Sequence, residues 1–359
     1  MNNERRAKIH SLASGLLKFL SGGTLTVIGL CVLLVLTIGG TVYQVEHGLY
    51  QAQKDYFQSW IVLLFGFLPF PGGQLTLWVL TLNLILASAF RLKRTTRALG
   101  LHIIHWGLIL LLVGSFISYR FGQESQVTLF EGEQANVSVD YRLWELAVWS
   151  ESDPARMVSA IDFDGLGAGD KFTLGTLPLT IKAAYPNARA TANGLEAVKG
   201  GNPEQRLPGA ILAFPGGAQQ LVWAGSEPQA LILGGVTYRL ALRRIRYPLP
   251  FTIRLLQFKK ETHTGTSMAK SYESLVEIHQ GGASRQVRIY MNHPLREAGL
   301  TFYQSSYAED RGRQSSTLAV VRNVGWWLPY ASSGLIFLGM LLHFIVMFYR
   351  KVVRHETAD

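Results

Sequence analysis

The sequence predicts a multi-pass α-helical membrane protein. Four transmembrane helices are expected, with a large extracytoplasmic β-rich domain between the third and the fourth. Three observations predict this. Residues 25–42, 75–90, 101–119 and 328–349 are almost free of charge, and each approaches the ~20 apolar residues that cross a bilayer as a helix. Residues 121–325 read as ordinary soluble chain, with short β-type runs separated by Gly and Pro. Basic residues outside that stretch gather at three places: Arg5, Arg6, Lys8 and Lys18; Arg91, Lys93, Arg94 and Arg97; and Arg350, Lys351 and Arg354.

The net charge of +10 invites a nucleic-acid reading, and its location argues against one. Residues 121–323 hold 21 Lys and Arg against 19 Asp and Glu, so the excess lies at the ends of the apolar spans. That is the positive-inside pattern of a protein with both termini and the 91–97 connection in the cytoplasm. The 43–74 connection carries only Lys54 against Glu46 and Asp55, which places it outside. The large domain follows the third span and is expected outside too. No partner of nucleic-acid type is expected; the lipid bilayer is.

In chain order, residues 1–24 are expected to form a cytoplasmic amphipathic segment. Ile9, Leu12, Leu16, Phe19 and Leu20 recur there at helical spacing, with basic residues between. Residues 25–120 hold three transmembrane helices. Within them, the apolar run 60–68 is too short to span and ends at Pro69-Phe70-Pro71, so it reads as an interfacial or re-entrant piece. Residues 121–325 form the β-rich domain, 326–350 the fourth span and 351–359 a cytoplasmic tail. Trp326, Trp327 and Tyr330 sit where the chain re-enters the bilayer, as an aromatic belt does. The single cysteine, Cys31, lies inside the first span, so the outer domain has no disulfide and the chain carries no CxxC dithiol.

The β-type runs are 126–130, 137–139, 143–148, 172–174, 179–183, 210–214, 220–223, 236–245, 251–258, 275–279, 285–291, 301–306 and 317–322. Such spacing predicts an antiparallel sandwich or barrel-like domain, with 165–170 and 192–203 as loops. Catalytic signatures are absent from it: no GxSxG, no HExxH, no phosphate-binding loop and no Cys/His metal spacing. No catalytic residue is therefore assigned. His263, His279 and His293 are isolated and read as surface or turn residues. The run RLALRRIR at 239–246 reads as a half-exposed strand, with binding of an acidic partner or of propionates as the alternative.

Histidines inside the apolar spans carry more information. His105 follows Arg97 by eight residues and His343 precedes Arg350 by seven. Counted from those arginines, each imidazole lies roughly 10–12 Å from the basic edge at ~1.5 Å per residue, which predicts a common depth. An ionisable side chain in a membrane points to function, and histidine is a common axial ligand of haem iron. The plainer alternative is that each ring hydrogen-bonds a neighbouring helix. His102 is close to His105 on the same helix.

Several local sequences resemble the ResB-type (CcsB) proteins of cytochrome c biogenesis. They are GGTVYQVEHGLYQAQKDYFQSW, PFPGG, HWGLILLLVGSFISYRFGQESQVTLFEGE, LPFTIRLLQFKKE, YESLVEI, MNHPLREAGLTFYQSSY and WWLPYASSGLIFLGMLLHF, in that order between residues 25 and 349. The resemblance implies System II cytochrome c maturation in a bacterial inner membrane, with the β-rich domain periplasmic. There a ResB-type chain pairs with a CcsA-type membrane subunit. Together they deliver haem across the membrane and attach it covalently to the CXXCH motifs of apocytochrome c. It implies that His105 ligates the iron of haem b, with His102 as runner-up. His343 could supply a second ligand in cis, which would make the iron low-spin by bis-histidine ligation, or could form part of the pocket wall. The tryptophan-rich haem-presenting motif of CcsA-type chains is absent, so this chain is expected to be a non-autonomous subunit of a haem lyase. The alternative function is a membrane-anchored chaperone or scaffold that holds apocytochrome and binds no haem. Asn83 is the main other polar side chain within the spans, which leaves little for a transport path.

Overall fold

A computed structural model of the chain describes residues 13–152, 157–192, 194–198, 205–262, 265, 269–310 and 312–356. The contacts divide it into two compact units: Met1–Gly122 with Asn323–Asp359, and Gln123–Arg322.

The first unit is helical. Residues 13–20 form α1, followed by α2 (Gly23–His47), a one-turn α3 (Leu49–Ala52) and a π-turn at Gln53–Phe57. A hairpin of β1 (Ile61–Leu64) and β2 (Leu68–Pro71) leads into α4 (Gly73–Phe90). A 3-10 turn at Thr96–Ala98 opens α5 (Leu99–Phe121), and α6 (Leu328–Glu356) closes the chain. Four of these, α2, α4, α5 and α6, are long and apolar enough to cross a membrane. At most 22% of any span is buried, so most of its apolar surface is left to lipid or to another chain. The 60–68 run is a β-hairpin. Of the amphipathic segment, residues 13–20 are helical with Leu16 and Phe19 exposed, and residues 1–12 lie outside the described residues.

The second unit is all β and antiparallel. Its strands are β3 (Gln123–Phe130), β4 (Gln134–Ser150), β5 (Ser159–Asp162), β6 (Lys171–Leu174), β7 (Leu177–Tyr185), β8 (Ala188–Thr191) and β9 (Gly194–Ala197). There follow β10 (Gly209–Ala213), β11 (Gln219–Trp223), β12 (Gln229–Leu233), β13 (Val236–Thr262), β14 (Ala269–Gln280), β15 (Ala283–Tyr290), β16 (Leu295–Glu297), β17 (Leu300–Asp310) and β18 (Arg313–Arg322). One sheet runs β15-β14-β13-β4-β3-β18-β17-β16, with β12 on β13 and β5 on β4. A second runs β11-β10-β7-β6, and β8 pairs with β9.

Two strands are longer than the sequence suggested. Runs 137–139 and 143–148 belong to one strand, β4, and runs 236–245 and 251–258 to another, β13. Pro248 and Pro250 read as a break, because proline removes a ladder donor. Here β13 passes them with a register shift against β4 between Pro248 and Ile253. Residues 194–197, expected in a loop, form β9. The alternating apolar faces of β13 feed two cores. Phe251, Ile253 and Leu255 pack with Val276, Ile289, Phe302 and Leu318, while Leu240 and Leu242 pack with Leu146, Ile181, Leu212 and Val222.

Candidate functional site

Glycine spacing builds the site. Gly100, Gly107 and Gly114 repeat every seven residues on α5, which keeps them on one stripe. A Cβ at Gly100 would lie 2.6 Å from the Gly339 carbonyl oxygen and 2.7 Å from the His343 backbone nitrogen. One at Gly107 would meet Ile336 at 2.8 Å, and one at Gly114 would meet Leu328 at 2.7 Å. Numbers rise on α5 as they fall on α6, so the helices are antiparallel and touch backbone to backbone along this stripe. Small residues permit such an approach in membranes.

That register fixes the histidines. His343 is level with Gly100. His105 is five residues further along α5, about 7.5 Å at ~1.5 Å per residue, and His102 is about 3 Å along. The expected common depth of His105 and His343 therefore does not hold. Counting from Arg97 and Arg350 failed because the glycine contacts offset those two residues by about one helical turn.

The faces differ as well. At ~100° per residue, His105 lies about 140° round α5 from Gly100, and His102 about 200°. Both turn away from α6. His343 lies on the α6 stripe that meets α5, and its Nδ1 is enclosed with no hydrogen-bond partner among the described residues. The structure brings His102 and His105 together on one face and separates both from His343.

Hydrogen bonding sets the tautomers. His105 Nδ1 lies 2.8 Å from the Leu101 carbonyl oxygen. A carbonyl only accepts, so Nδ1–H donates and Nε2 keeps its lone pair. No hydrogen bond among the described residues engages that Nε2. His102 is oriented the other way, with Nε2 donating to the Lys93 carbonyl at 3.3 Å. A backbone carbonyl behind one ring nitrogen and a free lone pair on the other is the arrangement of a metal-ligating histidine. Both histidines meet it, His105 through Nε2 and His102 through Nδ1, and the shorter carbonyl bond of His105, 2.8 against 3.3 Å, fixes its ring more firmly. Phe116, eleven residues after His105 and on the same face, packs edge-on against Trp78 of α4 at 5.3 Å. Further along this face Leu112, Phe116 and Tyr119 line a cavity of about 670 Å³ with Trp78 and Phe57.

Other candidates are absorbed by the fold. Asn83 is buried; it donates to the carbonyls of Leu20 (2.6 Å) and Gly22 (3.1 Å) and accepts from Thr26 (2.7 Å). In RLALRRIR, Arg239 pairs with Glu151 at 2.6 Å, Arg243 with Glu145 at 2.8 Å, and Arg244 stacks 3.8 Å over Trp144. His279 pairs with Glu277, and His293 stacks on Tyr290. His263 lies outside the described residues. Sequence reasoning passed over Asp140, which is buried and accepts from Tyr247 and from the amides of Arg142 and Leu143. An Asp two residues before such amides is a known turn signal.

Comparison with known proteins bears on this geometry. Residues 217–315, from just before β11 into β18, match the model of the ResB-like family. That stretch of the chain is similar to the ResB-like family. A solved structure titled "Cytochrome c Heme Lyase CcmF" aligns with 88% of the chain at 12% identity and a TM-score of 0.22. The chain spans about a third of that protein's length, 34%. A comparison with curated proteins finds no match.

Proposed function

We propose that the chain is the ResB-type subunit of a cytochrome c synthase complex and works in cytochrome c biogenesis. In this reading it sits in a bacterial inner membrane, with residues 123–322 in the periplasm. It pairs with a CcsA-type membrane subunit and takes part in haem delivery and in attachment to CXXCH-bearing apocytochrome c. The ResB-like match and the four apolar helices support this placement. One observation carries the haem assignment: the free Nε2 of His105, on the face of α5 that α6 leaves open.

The residues present fit haem b. His105 Nε2 would be the axial ligand, and the Leu101 carbonyl holds the ring in the tautomer that ligation needs. The apolar face around it excludes water from the iron's neighbourhood. When bound, haem supplies the redox-active iron and the vinyl groups that apocytochrome thiols take up. His343 is about 7.5 Å away in level, at ~1.5 Å per residue, and on another face. The second axial ligand is therefore assigned to the partner, and His343 to helix packing.

The test is the absorbance spectrum of the chain purified with its CcsA-type partner. His105→Ala is expected to abolish the Soret band or leave the iron high-spin, with added imidazole partly restoring the low-spin form. His343→Ala is expected to leave it low-spin. Unchanged haem content and spin state in both His105→Ala and His102→Ala would sink the assignment. A colourless, folded complex would support the scaffold reading instead.

A further inference from the structure

The hairpin of β1 and β2 does not lie on the membrane surface. Its inner face, Val62 and Leu64, is buried in one cluster with Leu36 and Tyr56, and Tyr43, Phe57 and Phe70 pack against that cluster. Leu36 is six residues inside Val42, the last residue of the first apolar run. At ~1.5 Å per residue that cluster lies roughly 9 Å inside the end of the apolar run. The hairpin tip is Phe65-Gly66-Phe67, with Phe65 in the left-handed region at φ 56 and both phenylalanines more than three-quarters exposed. No charged residue occurs from 57 to 90.

A two-stranded sheet has two open edges, and lipid offers nothing to satisfy them. The two edges differ. Gly72 N–H bonds the Trp60 carbonyl at 2.9 Å, and the register pairs Val62 with Phe70 and Leu64 with Leu68. By the alternation of an antiparallel ladder those pairs bond inward, and Ile61, Leu63, Pro69 and Pro71 aim their backbone outward. On β2 both outward residues are prolines, so that edge presents no N–H. On β1 the N–H groups of Ile61 and Leu63 point out at membrane depth.

That edge borders a groove. Val35, Ile38, Val42 and Val45 of α2 form one wall and β1 the other, around a cavity of about 1450 Å³ whose lining at the end of α2 and the following turn includes Glu46, His47, Lys54 and Asp55. The four α2 residues are 42–83% exposed and recur at 35, 38, 42 and 45, the a/d spacing of a helix-packing seam. We infer that this groove takes a transmembrane helix of a separate membrane subunit, whose hydroxyl or amide side chains accept from Ile61 and Leu63. An acyl chain fills the volume without an acceptor, whereas a polar side chain on a helix supplies both, and interhelical hydrogen bonds help drive association in membranes. The identity of that subunit as CcsA-type rests on the proposed function; the groove itself does not.

Photocrosslinking tests it in membranes of cells that co-express the full chain and the CcsA-type subunit. Benzoylphenylalanine replaces Val42 or Leu63, with Phe337 on α6 as the control. The expected result is an adduct from both groove positions to one transmembrane helix of the CcsA-type subunit, and none from position 337. Adducts to lipid alone, to a second copy of this chain or to another protein overturn the inference, as does no adduct from a chain that elutes as folded. The haem spectrum of the same sample separates the two claims. A colourless complex that still crosslinks leaves the groove standing and removes the haem role, while a low-spin complex without the crosslink does the reverse.

Discussion

Asn83 and His105 are both polar side chains in apolar helices, and their neighbours give them opposite readings. The amide of Asn83 bonds on both its nitrogen and its oxygen, tying α4 to the α1–α2 turn. Interhelical hydrogen bonds in membranes average about 0.6 kcal/mol each, so Asn83→Leu is expected to cost about 1–2 kcal/mol and leave haem binding intact. A lowered thermal midpoint in detergent with an unchanged spectrum checks it. Sequence made both residues visible, because a polar group in hydrocarbon is costly wherever it occurs. It could not say which was satisfied, since the partners of Asn83 are about sixty residues away. Tyr247 was not visible at all. Burial, and then the hydrogen bond to the buried Asp140, raise its pKa above the ordinary 10.0. The folded chain then keeps a proton that the unfolded chain releases above pH 10, so this contribution to stability is constant below pH 10 and falls as pH rises past it. Tyr247→Phe is expected to flatten the thermal midpoint between roughly pH 9 and pH 11 relative to the wild type. Parallel curves for the two proteins would count against it.

Among the elements, the spans and most strands were legible, and their lateral placement was not. Apolar length alone marked α2, α4, α5 and α6, since no other feature of a soluble chain produces such runs. The common depth assigned to His105 and His343 failed because helix offset is decided by packing. Gly100, Gly107 and Gly114 set that offset, and their seven-residue repeat was in the sequence as a signal left unread. The short strands β5, β8, β9, β12 and β16 were missed because three to five residues carry too little alternation to stand out. The glycine stripe makes its own prediction. At Gly107 a Cβ would lie 2.8 Å from the Ile336 side chain and 3.1 Å from its backbone nitrogen, and overpacking of this kind costs about 1–3 kcal/mol. Gly107→Leu is expected to lower the thermal midpoint and force α5 from α6. Gly334→Leu is the control, because a Cβ there meets nothing within 4 Å. Equal destabilisation by both would remove the stripe as the seam.

For the whole molecule, helix count and charge make separate claims about topology. If all four apolar helices cross, both ends of the chain lie on one side and residues 123–322 on the side opposite the 91–98 connection, whatever the charges are. Charge then chooses which side is which. The basic residues before α2, between α4 and α5, and after α6 all fall on the side that parity makes common, while the β unit holds 21 basic against 19 acidic residues. Three clusters agreeing through an independent parity constraint make cytoplasmic termini the expected orientation. A phosphatase fused after Gly132 should be active, since it folds only outside the cytoplasm, and a fluorescent protein fused after Tyr349 should glow, since it matures only inside. Both signals reversed with the N-terminus outside would keep the four crossings and overturn the positive-inside reading. Both reporters on one side would mean that α6, the one span between the two fusion sites, does not cross. Both signals reversed with the N-terminus still inside would mean that one helix before Gly132 does not cross, and the candidate is α4, the shortest span at 18 residues, which ends the hairpin segment rather than starting from a free loop. In that case the re-entrant geometry of β1 and β2 would extend through α4, and His105 would lie on a helix entering the membrane from the opposite face.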